Sequence, residues 1–247
     1  MLKVINFSGG RTSAYMAKRL IDEGGEYLVT FQNTGKEMPQ TLDFVNECDK
    51  RWNLGIVWLE YRQPATFEVV TYETASSDGE PFTQLLKQRP ASIPNQQFRF
   101  CTLELKIETL RRYLKHLNVT EYVSYNGIRY DEPRRWAKAK DLGVELPLVK
   151  WKVDKLEVLN FWAKQDFNLK LKEPYGNCDC CFLKGKGKLA IIAKEKPELF
   201  NWWVNIEQTS GNRFKKEITY DALRAKAQSQ LGLWDGDPSF ECFCNAD

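Results

Sequence analysis

Histidine is nearly absent: His116 is the single one among 247 residues. That limits any mechanism built on imidazole. Excess charge of one sign is lacking too. The net charge is +3, so the field of the whole molecule does not demand a nucleic-acid partner. No apolar run approaches the roughly 20 residues of a membrane span. The opening MLKVINFSGG has no signal-peptide pattern of basic flank, long apolar run and small-residue cleavage site, so the expected compartment is the cytoplasm, with no membrane partner. Internal repeats, low-complexity tracts, a Walker A loop and a GxGxxG loop are also missing. What is present is seven cysteines and eight tryptophans. In a reducing compartment the cysteines read first as metal ligands or reactive groups, not as a disulfide framework.

The length suits one large domain or one domain with an extension. KVINF is a short β-rich run, followed by SGGRTS and by AYMAKRLIDEGG. The apolar spacing of Tyr15, Met16, Leu20 and Ile21 predicts an amphipathic helix ending at Gly24 and Gly25. YLVTFQNTG predicts a strand, PQTLDFVNECDKRWN a helix with Pro39 in its first turn, and IVWLEY a third strand. This alternation predicts an α/β fold, a parallel twisted sheet with helices on both faces. ETASSDGEPFTQLLKQRPASIPNQQ reads as a loop or flap over the site. TLELKIETLRRYLKHL and DKLEVLNFWAKQ read as helices, and EYVSYNGI as a strand ending at Gly127. Residues 1–196 are expected to form the α/β domain. Residues 197–247 are expected to form a C-terminal helix-and-loop extension that packs back and supplies cysteine ligands.

SGGRTS lies between the first strand and the first helix, where α/β sheets bind ligands. Gly9 and Gly10 let the backbone approach a phosphate. The amides of Gly10 to Ser13 point at it from the helix start, Ser8, Thr12 and Ser13 add hydroxyls, and Arg11 adds charge. The bland alternative is an ordinary strand-to-helix turn. Arg129 offers a planar fork suited to an oxyanion. Its alternative is a solvated charged face shared with Arg134 and Arg135.

Cys178 and Cys181 form a CxxC around Cys180. Cys101 lies far upstream, and Cys242 and Cys244 form a CxC at the end. A CxxC can hold two corners of one metal site, completed by distal cysteines. A thiolate-only set suits zinc or an iron–sulfur cluster. Cys101, Cys178 and Cys181 are the expected ligands, with Cys244 preferred to Cys242 as the fourth. Cys180 is read as pointing away and Cys48 as a buried small hydrophobe. Lys184, Lys186 and Lys188 are either a solvated helix start or compensation for thiolate and phosphate charge. NWWVNIEQ reads as core rather than a stacking platform.

SGGRTS resembles the SGGxDS loop of the N-type ATP pyrophosphatases, with Thr12 in place of the aspartate. QNTGKEMPQT resembles the DTGxxxPET segment of phosphoadenylyl-sulfate (PAPS) reductases, a branch of the same adenine nucleotide alpha-hydrolase superfamily. RFCTLELKIETLRR resembles the cysteine-plus-helix segment of adenylyl-sulfate reductases, with Phe100-Cys101 where those carry CC. GIRYDEPRR resembles the Gly-x-Arg segment lining the nucleotide pocket. GNCDCCFLKGKGKL and CFCNAD resemble small, often phage-encoded PAPS-reductase-like members. The resemblance covers nearly the whole chain. It implies a bacterial or phage-infected host, and an adenine nucleotide, ATP or PAPS, on Ser8, Gly9, Gly10, Arg11, Thr12 and Ser13. It also implies adenosine near Asn33 and Thr34, with Gly127 and Arg129 at the phosphates or sulfate. It further implies a [4Fe–4S] cluster on the cysteine set, favoured over zinc by three distant ligand segments beside a nucleotide pocket.

Three functions follow as expectations. The first is a sulfur-transfer or adenylating enzyme that cleaves ATP between its α and β phosphates and releases pyrophosphate and AMP. Arg11, Arg129 and Mg²⁺ stabilise charge, and a thiol or cysteine-desulfurase donor supplies sulfur. The second is a PAPS or adenylyl-sulfate reductase with Cys242 as nucleophile. Here Glu241-Cys242 resembles the start of the reductases' Glu-Cys-Gly-Leu-His tail, from which Phe243, Cys244 and Asn245 depart. The third is a non-enzymatic, nucleotide-binding regulator. The acceptor is open among nucleic-acid bases, metabolites and proteins, and a homodimer is one assembly the chain allows.

Overall fold

A computed structural model of the chain describes residues 1–140 and 142–229. Strand β1 (Leu2–Asn6) leads into helix α1 (Arg11–Asp22), β2 (Leu28–Asn33) into α2 (Pro39–Trp52), and β3 (Val57–Arg62) follows. A hairpin-like return then gives β4 (Thr66–Val70). The chain crosses through α3 (Glu80–Lys87), α4 (Phe100–Thr102), a π-helical turn Leu103–Glu108 and α5 (Thr109–His116) to reach β5 (Tyr122–Asn126). The sheet order is β4-β3-β2-β1-β5. The β5-β1-β2-β3 pairs are parallel and β4 runs antiparallel at the edge.

Side chains alternate across the sheet because successive strand residues face opposite sides. Ile5 and Trp58 join a core with Met16 and Ala17 of α1, Phe44 and Val45 of α2, and Trp162. Val4 and Leu59, each one residue away, join Leu110 and Leu114 of α5 on the other face. Both faces are therefore covered by helices, and the fold class is the one the alternation predicts.

After β5 come α6 (Pro133–Lys140), α7 (Pro147–Lys150) and α8 (Lys155–Ala163), the last capped by Asp154, whose carboxylate accepts from the Glu157 amide at 2.8 Å. Then follow α9 (Lys186–Glu195), a 3-10 turn Pro197–Leu199, α10 (Phe200–Ser210) and α11 (Tyr220–Ser229). Phe200, Trp203 and Tyr220 form a separate core with Tyr61, Phe82, Leu105 and Phe182. The helices past Pro197 thus pack on α3 and the cysteine segment, and Trp203 is core.

Two segments differ from expectation. The stretch read as a flap contains α3, because Phe82, Leu85 and Leu86 lie on one buried helical face and Pro81 suits the first turn. The helix expected from Thr102 is interrupted by the π turn, where the Thr109 hydroxyl donates to the Glu104 carbonyl, five residues back, at 2.8 Å. No described helix is long and apolar enough to cross a membrane.

Candidate functional site

The first turn of α1 begins at Gly10 with no side-chain cap. Gly9 has φ +79°, and a Cβ there would stand 2.6 Å from Thr41 Cγ2. Only glycine fits that turn without strain. The Ser8 amide and hydroxyl both donate to Ser13 Oγ, at 3.1 and 3.0 Å. These bonds fold the loop onto the helix start. Gly127, just past β5, packs so closely on α1 that a Cβ would lie 2.8 Å from Ser13 Cα.

That approach brings Arg129 to the loop. Its guanidinium is buried, donates to Asp131 Oδ1 at 2.9 Å and lies 3.4 Å from the Thr12 hydroxyl. Its backbone amide donates to Glu132 Oε2 at 3.0 Å. The solvated-face alternative for Arg129 therefore fails; Arg134 is the exposed one. Arg11, expected at the phosphate, instead donates to Asn168 Oδ1 at 2.7 Å and to the Leu169 carbonyl at 2.5 Å. These bonds tie α1 to the segment after α8 and leave Arg129 as the guanidinium reaching Thr12.

A cavity of about 480 Å³ opens at the carboxyl ends of β1, β2 and β5. Its wall includes Asn6, Ser8, Gln32, Ser124 and Asn126. The Asn6 amide donates to Asn126 Oδ1 at 2.5 Å. Successive strands run outward from β1 on one side while β5 lies on the other, so this is the sheet's topological switch point, the usual place for a ligand in such folds. Its volume lies within the range of small-molecule sites. Asn33, expected near adenosine, is fully buried. Its side chain bonds Glu60 at 2.6 Å, the Ser76 carbonyl at 2.8 Å and the Gly35 amide at 3.1 Å. It shapes the strand end and does not line the cavity. Burial pushes the Glu60 carboxyl up, against the pull of Ser76, Asn33 and Arg62.

Thr34 belongs to a second, smaller cavity of about 30 Å³. Cys101, Cys178 and Cys181 all line it, together with Arg99 and Phe182. Thr102 and Lys106 line both cavities. Lys106 Nζ also sits 3.6 Å from Glu37 Oε1, while Glu37 Oε2 accepts from the Thr34 amide and hydroxyl at 2.8 Å each. The cysteine turn is fastened to the end of β2 by an antiparallel bridge between Glu37 and Cys178 and by a buried Lys36–Asp179 ion pair of 2.8 Å.

Cys101, Cys178 and Cys181 thus line one small cavity. Cys180 turns into the core beside Tyr220, whose hydroxyl donates to the Cys180 carbonyl at 2.6 Å, and burial pushes its thiol up. Cys48 is buried in the main core, again with a raised thiol. The lysines divide. Lys184 is 2% exposed and donates to the Cys178 carbonyl at 2.6 Å, whereas Lys188 pairs at the surface with Glu173 at 3.1 Å. Lys215 is also buried and donates to the Phe182 carbonyl at 2.8 Å.

Among the described residues no three His, Cys, Asp or Glu side chains are grouped closely enough to hold a metal ion. Cys101, Cys178 and Cys181 line one cavity without forming such a group. Cys242 and Cys244, expected as nucleophile and fourth ligand, lie outside the described residues. Lys106, Thr102, Gln32 and Asn126 were not singled out from the sequence. The position of Gln32 and Asn126 at parallel strand ends was the available signal. Nothing local marks Lys106, which needs the π turn to face both cavities.

A structure search finds a PAPS reductase from Candida auris in a phosphate complex, 17% identical, covering 68% of this chain and 75% of that one with a TM-score of 0.47. Among curated proteins, the uncharacterized nin region protein ORF290 of Escherichia phage lambda is 32% identical over 214 residues, 81% of this chain and 72% of the phage protein. Two uncharacterized proteins of Methanocaldococcus jannaschii are 25% and 23% identical over 83% and 82% of this chain, which spans only 47% and 41% of their lengths. Residues 3–151 match the model of the phosphoadenosine phosphosulfate reductase domain, which takes in β1 to β5, the SGGRTS segment, Cys101 and Arg129. The chain belongs to the phosphoadenosine phosphosulfate reductase domain family.

Proposed function

We propose that this chain is an adenine-nucleotide-binding enzyme of sulfur transfer, working on ATP at the phosphate loop and on sulfur at the cysteine cavity. The observation that carries the reading is the shared wall: Thr102 and Lys106 line both the 480 Å³ cavity, which includes Ser8, and the cavity lined by Cys101, Cys178 and Cys181. A nucleotide in the first has its reacting phosphate directed toward the second. Reduced cytoplasmic thiols suit that chemistry.

The reaction has two steps. An acceptor oxygen forms a bond to the α-phosphorus while the α–β bridging bond breaks, and pyrophosphate leaves with the electron pair. A sulfur nucleophile from a thiol or persulfide donor then forms a carbon–sulfur bond as the carbon–oxygen bond breaks, and AMP leaves. The uncapped start of α1 and the Arg129 guanidinium bind the phosphates and offset charge developing on them. Mg²⁺ accompanies the nucleotide. Lys106 is positioned to neutralise the leaving phosphate on the cysteine side, with Glu37 holding its ammonium. Phe182 and Leu183 at the cavity keep the sulfur side dry. Cys101, Cys178, Cys181 and Cys244 would hold a [4Fe–4S] cluster, which would supply redox capacity.

A second reading is favoured by the family's own description: reduction of a sulfonucleotide, with Cys242 attacking the sulfur. One experiment separates the readings. The anaerobically purified full chain is incubated with α-labelled ATP, and in parallel with PAPS and a dithiol. AMP and pyrophosphate formation that depends on an added acceptor and sulfur donor supports sulfur transfer. Sulfite released from PAPS and lost in Cys242→Ser supports reduction. Nucleotide binding without either product leaves a regulator, and no binding at all overturns the nucleotide site.

A further inference from the structure

Asn177 immediately precedes Cys178, yet its side chain reaches the phosphate loop. The amide nitrogen donates to the Ser8 carbonyl at 2.7 Å. Only the nitrogen of an amide side chain can bond a carbonyl, which fixes its orientation. Asn177 is 1% exposed, and its Oδ1 has no hydrogen-bond partner among the described residues. A buried amide with one end bonded and the other end unmet is an unusual arrangement for a residue that serves packing alone.

The backbone around Asn177 is held on the opposite side. Its carbonyl accepts from the Met38 amide at 2.7 Å, and the Asp179 amide donates to the Lys36 carbonyl at 2.9 Å. The Glu37–Cys178 bridge and the Lys36–Asp179 pair complete that attachment. The cysteine turn is therefore clamped to the turn after β2 by its backbone and to the phosphate loop by this one side chain. Ser8, the loop residue it grasps, also lines the larger cavity and is latched to Ser13.

We infer that Asn177 couples occupancy of the phosphate loop to the Cys178–Cys181 turn, as a positioning residue that transmits loop order across the Ser8 carbonyl. The inference rests on the nucleotide reading of the loop given above. An anion captured by the α1 amides narrows the conformations open to Ser8 and Gly9. The Ser8 carbonyl then presents a fixed acceptor to Asn177, and the peptide joining Asn177 to Cys178 is restrained with it. Linkage requires the reverse effect: restraint of the turn strengthens nucleotide binding by the same factor.

The test is amide hydrogen exchange on the full chain, with and without saturating ATP, following peptides over residues 6–14 and 176–184. In the natural sequence ATP slows exchange in both, by about tenfold in the cysteine turn, within the usual range of coupling between sites. In Asn177→Ala, and in Asn177→Asp, which keeps the size and removes the donor, loop protection persists and turn protection disappears. Melting curves establish that each variant is folded, so a failure of the alanine form leaves the aspartate form to decide. Loop protection without turn protection in the natural sequence overturns the coupling and leaves the nucleotide site standing. Turn protection undiminished in both variants also overturns it. Protection of neither peptide overturns the coupling together with the nucleotide reading.

Discussion

The Arg129 guanidinium lies 3.4 Å from the Thr12 hydroxyl, 117 residues away in the chain, and so carries positive charge from the end of β5 to the first turn of α1. Asp131 and Glu132 hold it in place, so truncation to alanine would remove a partner from two carboxylates. Arg129→Lys is the more informative change. It keeps the charge and loses the planar fork, which should weaken ATP or PAPS binding by about 10- to 100-fold, the worth of one or two charge-assisted hydrogen bonds. Isothermal titration calorimetry measures it. Unchanged affinity would place the phosphates elsewhere.

The cysteines sort by which way they face. Cys101→Ser, Cys178→Ser and Cys181→Ser each remove a thiol from the small cavity. Each should lower iron and labile sulfide from about four per chain. Cys180→Ser and Cys48→Ser act on thiols buried in the cores and should leave that content intact, at some loss of stability. Metal analysis of anaerobically purified variants decides it, and equal loss across all five would mean general unfolding instead of ligation.

Gly127 is where the sheet and the helix start touch. Adding a methyl there drives a Cβ to 2.8 Å from Ser13 Cα and 3.1 Å from Ser13 N, both backbone atoms with little room to yield. Gly127→Ala should cost about 1–3 kcal/mol in chemical denaturation, as overpacking does. It should also weaken nucleotide binding, because the atoms displaced belong to the proposed anion site. A stable variant with normal binding would contradict the close approach.

Glu60 makes stability depend on pH. Burial raises its carboxyl above the ordinary value of 4.5, so the folded state holds the proton more tightly than the unfolded chain. The resulting contribution is complete below the unfolded value and is lost as pH rises through the raised folded value. Glu60→Gln does not titrate, so the melting temperature of the variant relative to the natural sequence should climb from about pH 4.5 toward neutrality. Melting curves across that range check the sign, and a flat difference would show that the carboxyl is not shifted.

Much of the fold was legible because its signals are local. Strands β1, β2, β3 and β5 are short β-rich runs, and α1 and α2 carry helical apolar spacing with glycine, proline and asparagine at the ends. SGGRTS reads as a strand-to-helix turn for the same reason. Helix α3 was not, since Gly79, Pro81 and Pro90 crowd eight helical residues and read as punctuation. CxxC spacing puts Cys178 and Cys181 on one turn, the family resemblance sets Cys101 beside them, and the direction of Arg11 was not legible. That side chain is captured by Asn168 and Leu169, about 157 positions distant. Asn33 likewise reads as a polar residue at a strand end. Only the tertiary fold supplies Glu60 and Ser76 to occupy its amide.

The π turn between Cys101 and α5 has a genetic consequence. It accommodates one more residue than α-helical winding over the same span. Loss of a single codon between Leu103 and Glu108 would restore regular winding. Because the π turn takes up that extra residue over the same span, Cys101 and Thr102 would keep their phase relative to Leu110 and Leu114, which anchor the helix to the sheet. A codon lost from the regular winding of α5 would instead turn the residues before it by about 100° relative to those after it. The phase of Cys101 against its anchors therefore tolerates a residue lost from the π turn but not one lost from the regular winding between them.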